Sequence, residues 1–520
     1  MTNLKILLKN NFNILLGGLQ GKKQRKSTAV AILLLIFGMV GIFALYTLQA
    51  ISMFKGLGKE LGLYDLCMFH GIITALSVIV MIGVMRMAGN AKHNDSDLLL
   101  SLPIKKRDVV ISKTINKYIF DFFFSALMLL PYTILYQIYC KPSAWVCVCG
   151  IIVTFLLPLL SVGISYILDF VTTRLFNRMK SASLIKSLFS TFVFVLIMAL
   201  LLVKTFTYGT VQFENMEDYF SNRFFSNMFL KFIIEQKTWA IIGGVLLTVI
   251  PFMIGMFLYS INFGKSFSKF ASKTKELKFN KDKSLFANLL QKEFSTYVTT
   301  PAWVVNTIIE PISILVVGIL FATVGKDKIL QYFGVYAGEE LIAGIIVLIF
   351  CGLLSMTTLS CCSVSLEGKN VWILKSSPIN EKMLFTAKSL VHFVICEPFI
   401  IVSAIISGIC MKMSIADFLM ILLLPTLLNA ILATGGVLIN LCFPKLDFDD
   451  ETKVVKQSLA TLLSILFGIV LTALLVGVYY LFKTLSLSWI ALIGGTVYVV
   501  ILAIVITLLM TVGVKKFRKL

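Results

Sequence analysis

Apolar residues gather along this chain in twelve stretches, each near the roughly 20 residues a helix needs to cross a bilayer. Six fall near 28–52, 66–87, 116–139, 144–170, 187–204 and 239–260. Six more fall near 303–324, 341–362, 389–410, 417–442, 458–482 and 488–513. Each set follows a shorter amphipathic pattern. Leu4, Leu7, Leu8, Phe12 and Leu15 make an apolar stripe at helical spacing. Phe286, Leu289, Leu290, Phe294 and Tyr297 repeat it at the same intervals, with Lys9 and Lys292 off the stripe. Such a helix suits the headgroup layer, as an ordinary amphipathic lead-in or as an elbow built into each half. The pattern predicts an all-α polytopic membrane protein of about twelve transmembrane helices in two six-helix repeats. The halves are 1–264 and 284–520, joined by a polar segment at 265–283 that carries seven lysines and suits an anionic lipid surface.

Composition agrees with this reading. Hydrophobic residues make up 58% of the chain and charged residues 14%, against about 45–50% and about 25% in soluble domains. The net charge of +21 follows topology. With the N-terminus placed in the cytoplasm, 36 of the 47 Lys and Arg residues fall on cytoplasmic segments, which is the positive-inside bias. Both termini are then cytoplasmic, and six spans per half make the repeats parallel. That distribution argues against nucleic acid as a partner and makes the lipid bilayer the first one. The ten cysteines are scattered, and the close pairs Cys147/Cys149 and Cys361/Cys362 lie in apolar stretches without metal-ligand spacing. The basic segment Lys5–Lys26 and the long apolar run after it predict an uncleaved anchor.

A second repetition lies inside the halves. LLSLPIKKRDVVISK (99–113) and LKSSPINEKMLFTAK (374–388) match at Leu99/Leu374, Ser101/Ser376, Pro103/Pro378, Ile104/Ile379 and Lys113/Lys388. Each copy sits between the second and third apolar stretches of its half. Pro103 and Pro378 suit the first turn of a helix, and Ser377 suits an N-cap before the second copy. Each copy therefore reads as a short helix leading rigidly into the third span of its half, or as a plain connecting loop. The largest segment on the outer side, about 205–238, has only about 483–487 as its counterpart, so the halves differ there.

On LLLSLPIKKRDVVISK (98–113), LLQKEFSTYVTTPAWVVN (289–306), SLEGKNVWILKSSPI (365–379) and FPKLDFDDETKVVKQSL (443–459), the chain resembles the permease of an ABC-2-type (type V) ABC exporter. The form it resembles is the fused two-half one of Gram-positive bacteria. The resemblance implies a cytoplasmic-membrane location and coupling segments that dock on a separate ABC ATPase, in two copies. Those segments would be Pro103, Ile104, Lys105, Lys106 and Arg107, and Pro378, Ile379, Asn380, Glu381 and Lys382. The cofactors it implies, ATP and Mg, belong to that partner, and no cofactor is expected on this chain. The sequence contains no Gly-x-x-x-x-Gly-Lys-Ser/Thr phosphate loop, and Gly368-Lys369 is followed by Asn370. The expected cargo is an amphipathic peptide, drug or lipid. The family's small outer helices between spans five and six have room only in the first half.

Acids inside spans are costly and draw attention. Glu310-Pro311 and Glu397-Pro398 stand about equally deep in their spans. They read either as cavity-lining groups or as helix–helix hydrogen bonders near prolines. Asp121 and Asp169 read as structural, and His392 is not read as a ligand. Asp447, Asp449, Asp450 and Glu451 read as a solvated acidic loop, since an EF-hand's glycine and distal Glu are missing. The competing reading is an ATP-independent secondary transporter with duplicated halves. A membrane-embedded processing enzyme would need paired intramembrane Asp or His-Glu-x-x-His, and neither is evident in the sequence.

Overall fold

The computed structural model describes residues 6–7, 40–41, 43–44, 46–60, 62–89, 104–176, 185–186, 188–198, 224–262, 284–325, 340–377, 379–448, 451–482 and 484–520. Regular structure among these is entirely helical, and ten stretches are long and apolar enough to cross a membrane. Hydrocarbon offers no partner to a backbone N–H or C=O, and a helix pairs both within one segment. The chain is thus an all-α polytopic membrane protein. Most of the expected span 28–52, the elbow stripe at 4–15 apart from Leu7, and the join at 265–283 lie outside the described residues. So do Pro103, Pro378, Asp449 and Asp450.

The helices gather into two compact units, Met1–Phe194 with Val211–Lys273, and Val195–Thr210 with Thr274–Leu520. In the first, α1 (Tyr64–Gly89), α2 (Lys106–Cys140) and α3 (Ala144–Phe176) pack on one another. A shorter apolar helix, α4 (Leu188–Met198), stands where span five is expected, and the division between the units falls within it, after Phe194. The short α5 (Phe224–Leu230) continues through one wider turn to Glu235 and buries Phe229, Phe232 and Ile233. It occupies the first-half segment for which the second half has no room. The helix α6 (Thr238–Asn262) lies along α3. Their backbones meet because a Cβ on Gly163 would stand 2.5 Å from Pro251 C, and one on Gly255 would stand 2.7 Å from Gly163 O. Small residues allow this approach where lipid supplies no hydrophobic drive to pair helices.

The second unit opens with α7 (Leu285–Thr299), then α8 (Pro301–Thr307), α9 (Ile309–Val324) and α10 (Glu340–Ser355). It continues through α11 (Val371–Ser376), α12 (Glu381–Cys410), α13 (Ile415–Cys442), α14 (Glu451–Val455), α15 (Leu459–Leu481), α16 (Leu487–Leu508) and α17 (Val514–Lys519). The core forms around α13, which packs on α10, α12, α15 and α16. One expectation fails here: 341–362 is not a continuous helix. The helix stops at Ser355, and the backbone runs irregularly to Asn370, with Gly368 at φ +56°.

Hydropathy hides this break, because residues 357–365 are buried throughout. Side chains replace the lost ladder. Trp303 Nε1 donates to Leu359 O (3.1 Å), Ser360 Oγ to Leu432 O (3.0 Å), and Asn440 Oδ1 accepts from Val364 N (2.8 Å) and Ser365 N (2.9 Å). Irregular backbone survives at such depth only when protein pairs it. Packing through the two α3/α6 glycines predicts that Gly163→Val costs about 1–3 kcal/mol by overpacking. Gly477→Val, with nothing within 4 Å of its Cβ, should leave stability unchanged. Thermal unfolding of the two variants in detergent checks this.

Candidate functional site

The two matched segments each open a long helix. At about 1.5 Å per residue, the 35 residues of α2 span about 50 Å and the 30 of α12 about 45 Å. The hydrocarbon core is only about 30 Å thick. Each helix is therefore longer than the apolar layer is thick, and its polar first turns run into its apolar stretch without interruption. The helices begin at Lys106 and Glu381, and the first-turn expectation for Pro103 and Pro378 lies outside the described residues. The N-cap expected of Ser377 is wrong. Ser377 closes α11, and Asn380 caps α12, its Oδ1 accepting from Lys382 N at 3.0 Å. An Asn one position before the helix reaches the free N–H groups, whereas Ser377 lies too far upstream. Lys105 stands in the cap position of α2 without a side-chain hydrogen bond.

Both units bury the start of these helices alike. Ile104, Val109 and Val110 share an apolar cluster with Leu7 of the first stripe. Ile379, Leu384 and Phe385, at the matching positions, share one with Leu289 of the second. Lys105, Lys106 and Arg107 are exposed, as are Asn380 and Lys382. Glu381 accepts from Arg518 Nε at 2.8 Å.

Behind the second segment lies a buried ion cluster. Lys388 Nζ donates to Glu293 Oε2 (2.8 Å), Glu367 Oε1 (2.8 Å) and Ser363 O (3.0 Å). Its three N–H bonds meet three acceptors, and its side chain is 1% exposed. Lys292 adds contacts to Glu293 Oε1 (3.0 Å) and Glu367 Oε1 (2.5 Å). Two ammoniums thus balance two carboxylates. Three separate pieces of chain meet there: α7, the irregular 356–370 segment, and α12. Helical periodicity leaves Lys292 outside the stripe, and neither Glu293 nor Glu367 belongs to a ligand or catalytic motif in the sequence. The legible signal was Glu293 itself, an acid at i+4 from Leu289 and i−4 from Tyr297, in the middle of the apolar face.

Nearby, Thr307 Oγ1 donates to Trp303 O (2.8 Å), so the Tyr297 hydroxyl donates to Thr307 (3.2 Å). Burial raises the Tyr297 phenol above its ordinary range and keeps it a neutral donor. His392 meets Ser360 Oγ through Nδ1 at 2.9 Å. Since the Ser360 hydroxyl proton is committed to Leu432 O, that nitrogen carries the hydrogen. Nε2 is buried without a partner.

The two in-span acids separate. Glu397 accepts from Thr426 Oγ1 (2.6 Å) and Asn429 Nδ2 (2.9 Å), which ties α12 to α13. Glu310 keeps one buried carboxylate oxygen without a hydrogen-bond partner. No hydrogen bond or ion pair joins the two acids among the described residues. In the first unit Asp121 pairs with Arg86 at 2.7 Å, and Asp169 pairs with Lys186. Lys117 Nζ lies 4.2 Å from the centre of the Tyr166 ring, which stacks on Tyr259. Asp447 is solvated and 3.5 Å from Lys369. No cluster of three metal-ligating side chains occurs among the described residues.

A family model described as a membrane protein of 12 TMs matches residues 59–513. No curated protein and no solved structure matches the chain. For the ion cluster, Lys388→Met should cost about 3–5 kcal/mol, because it strands buried carboxylates. Adding Glu293→Gln should recover a measurable part of that loss. A double-mutant cycle on unfolding in detergent reads the coupling, and simple additivity would deny it.

Proposed function

The chain belongs to this family of membrane proteins with twelve transmembrane segments, and from that premise we propose that it is the membrane subunit of an ATP-driven ABC exporter. The observation that carries the proposal is the paired placement of the two matched segments. Each presents exposed polar residues at the tip of a helix that enters the apolar layer without a break. A push on such a tip moves the whole helix, whereas a floppy loop would absorb it. Two such tips suit two copies of an ATPase, and ATP and Mg would be bound and hydrolysed there. In this reading the cytoplasm holds both tips, and the bundle moves an amphipathic substrate across the cell membrane.

The paired basic and polar tips also direct the test. Lys105→Glu with Arg107→Glu in the first segment, and Asn380→Asp with Lys382→Glu in the second, change exposed side chains, and Asp at 380 still caps α12. In native membranes solubilised in mild detergent, each pair of changes should lower the recovered ATP-binding-cassette protein severalfold, and both together should abolish recovery. The thermal stability of the permease should stay unchanged. If both pairs leave ATPase recovery at the level of the unaltered chain, or if no such ATPase accompanies the unaltered chain, the reading fails. Transport driven by an ion gradient without ATP would favour the secondary-transporter alternative.

A further inference from the structure

Next to the second tip lies a surface that the matched segments alone do not explain. The short helix α11 exposes Trp372 at 65% and Ile373 at 46%. The last described helix, α17, turns its apolar residue Phe517 inward, where the ring meets Phe385 edge-on at 5.7 Å. Lys375 Nζ donates to Arg518 O (3.1 Å), and Arg518 Nε donates to Glu381 Oε1 (2.8 Å). These contacts fasten α11, the start of α12 and α17 into one piece. Outward, that piece shows Lys375, Lys382, Lys515, Lys516, Arg518 and Lys519, all exposed. Its carboxylate, Glu381, is already paired with Arg518.

We infer that α11, residues 379–382 and α17 form one composite docking surface for a carboxylate-rich face of the ATPase subunit, with Trp372 as its apolar centre. The inference rests on the function proposed above and names more of the same interface. Charge selects the partner: six exposed cations and a paired acid present a positive face, and steering toward an acidic one follows. The exposed Trp supplies the kind of large, rigid anchor that dominates binding energy at protein interfaces. A membrane-lying helix would instead keep an outward apolar stripe beside its charges. In α17 the aromatic side chain is spent on Phe385 and what faces outward is charge, so the outward apolar part of the surface is confined to Trp372 and Ile373 of α11.

A photoreactive amino acid placed singly at positions 372, 516 and 382 of the full chain, in the cells that express it, tests this. Position 405, an exposed in-span residue, serves as the control. Adducts are identified by mass spectrometry. The expected result is an adduct with one ATP-binding-cassette protein from 372, 516 and 382, and none from 405. Trp372→Ala, and separately Lys516→Glu with Lys519→Glu, should then lower recovery of that same ATPase at least fivefold while thermal stability holds. An ATPase adduct from 382 alone overturns the composite surface and leaves the proposed function standing. Lipid adducts from 372 and 516 assign the surface to the membrane and likewise overturn it. The absence of an ATPase adduct at all three positions overturns both.

Discussion

A buried ammonium keeps its charge without a large penalty only when its N–H groups are paired, and Lys388 meets that demand with three acceptors from two other pieces of chain. Glu293 comes from the amphipathic helix α7, and Glu367 and Ser363 come from the irregular segment after α10. Removing one charge leaves another uncompensated, so the cluster fixes where α7, the segment and α12 lie relative to one another. The break in span eight follows from the same constraint. A continuous helix through 356–370 would hold Ser363 O in its own ladder and would not bring Glu367 to Lys388 in this arrangement. The break is sustained by Trp303, Ser360 and Asn440, each of which pairs backbone the helix gave up.

The second tip inherits its rigidity from this arrangement. Lys388 lies two helical turns inside α12 from Glu381, so the start of the helix is held from below by ions. It is held from the side by Leu289, Leu384 and Phe385 in one apolar cluster. The first unit reaches a similar apolar arrangement with Leu7, Ile104, Val109 and Val110 but uses other charges, Arg86 with Asp121 and Lys186 with Asp169. By the offset that matches Lys113 to Lys388, the position opposite Glu367 is Lys92, and on the elbow stripe Asn11 stands opposite Glu293. The repeat keeps the geometry of the tips and varies the electrostatics that brace them.

Much of the fold was legible in the sequence, because lipid makes apolar length a nearly sufficient signal for a spanning helix. The α7 stripe and the long helices from the matched segments follow from local pattern, whereas the short helix before α6 was expected only from the family resemblance. What failed is equally local in origin. Serine's fitness for a cap holds for many positions near a helix start. Hydropathy does not tell position 377 from 380. The break after Ser355 was invisible because Thr, Ser and Cys are apolar enough to extend a hydrophobic run. Their compensating partners lie some 50 to 80 residues away in sequence, the donor Trp303 Nε1 and the acceptor Asn440 Oδ1. The ion cluster was illegible for a related reason: its members, Lys292, Glu293, Glu367 and Lys388, meet only in three dimensions. Glu293, an acid in the middle of an apolar face, is the one member that local pattern marks, and it was not singled out.

In the function proposed above, the duplication and the rigid tips would let two copies of one ATPase partner move the two halves. Native mass spectrometry of the complex released from its own membranes weighs that stoichiometry. One chain carrying two copies of an ATP-binding-cassette protein, and losing both when the two tips are altered, is the expected result. A chain that flies alone or with lipid only, from membranes in which it supports transport, would contradict it.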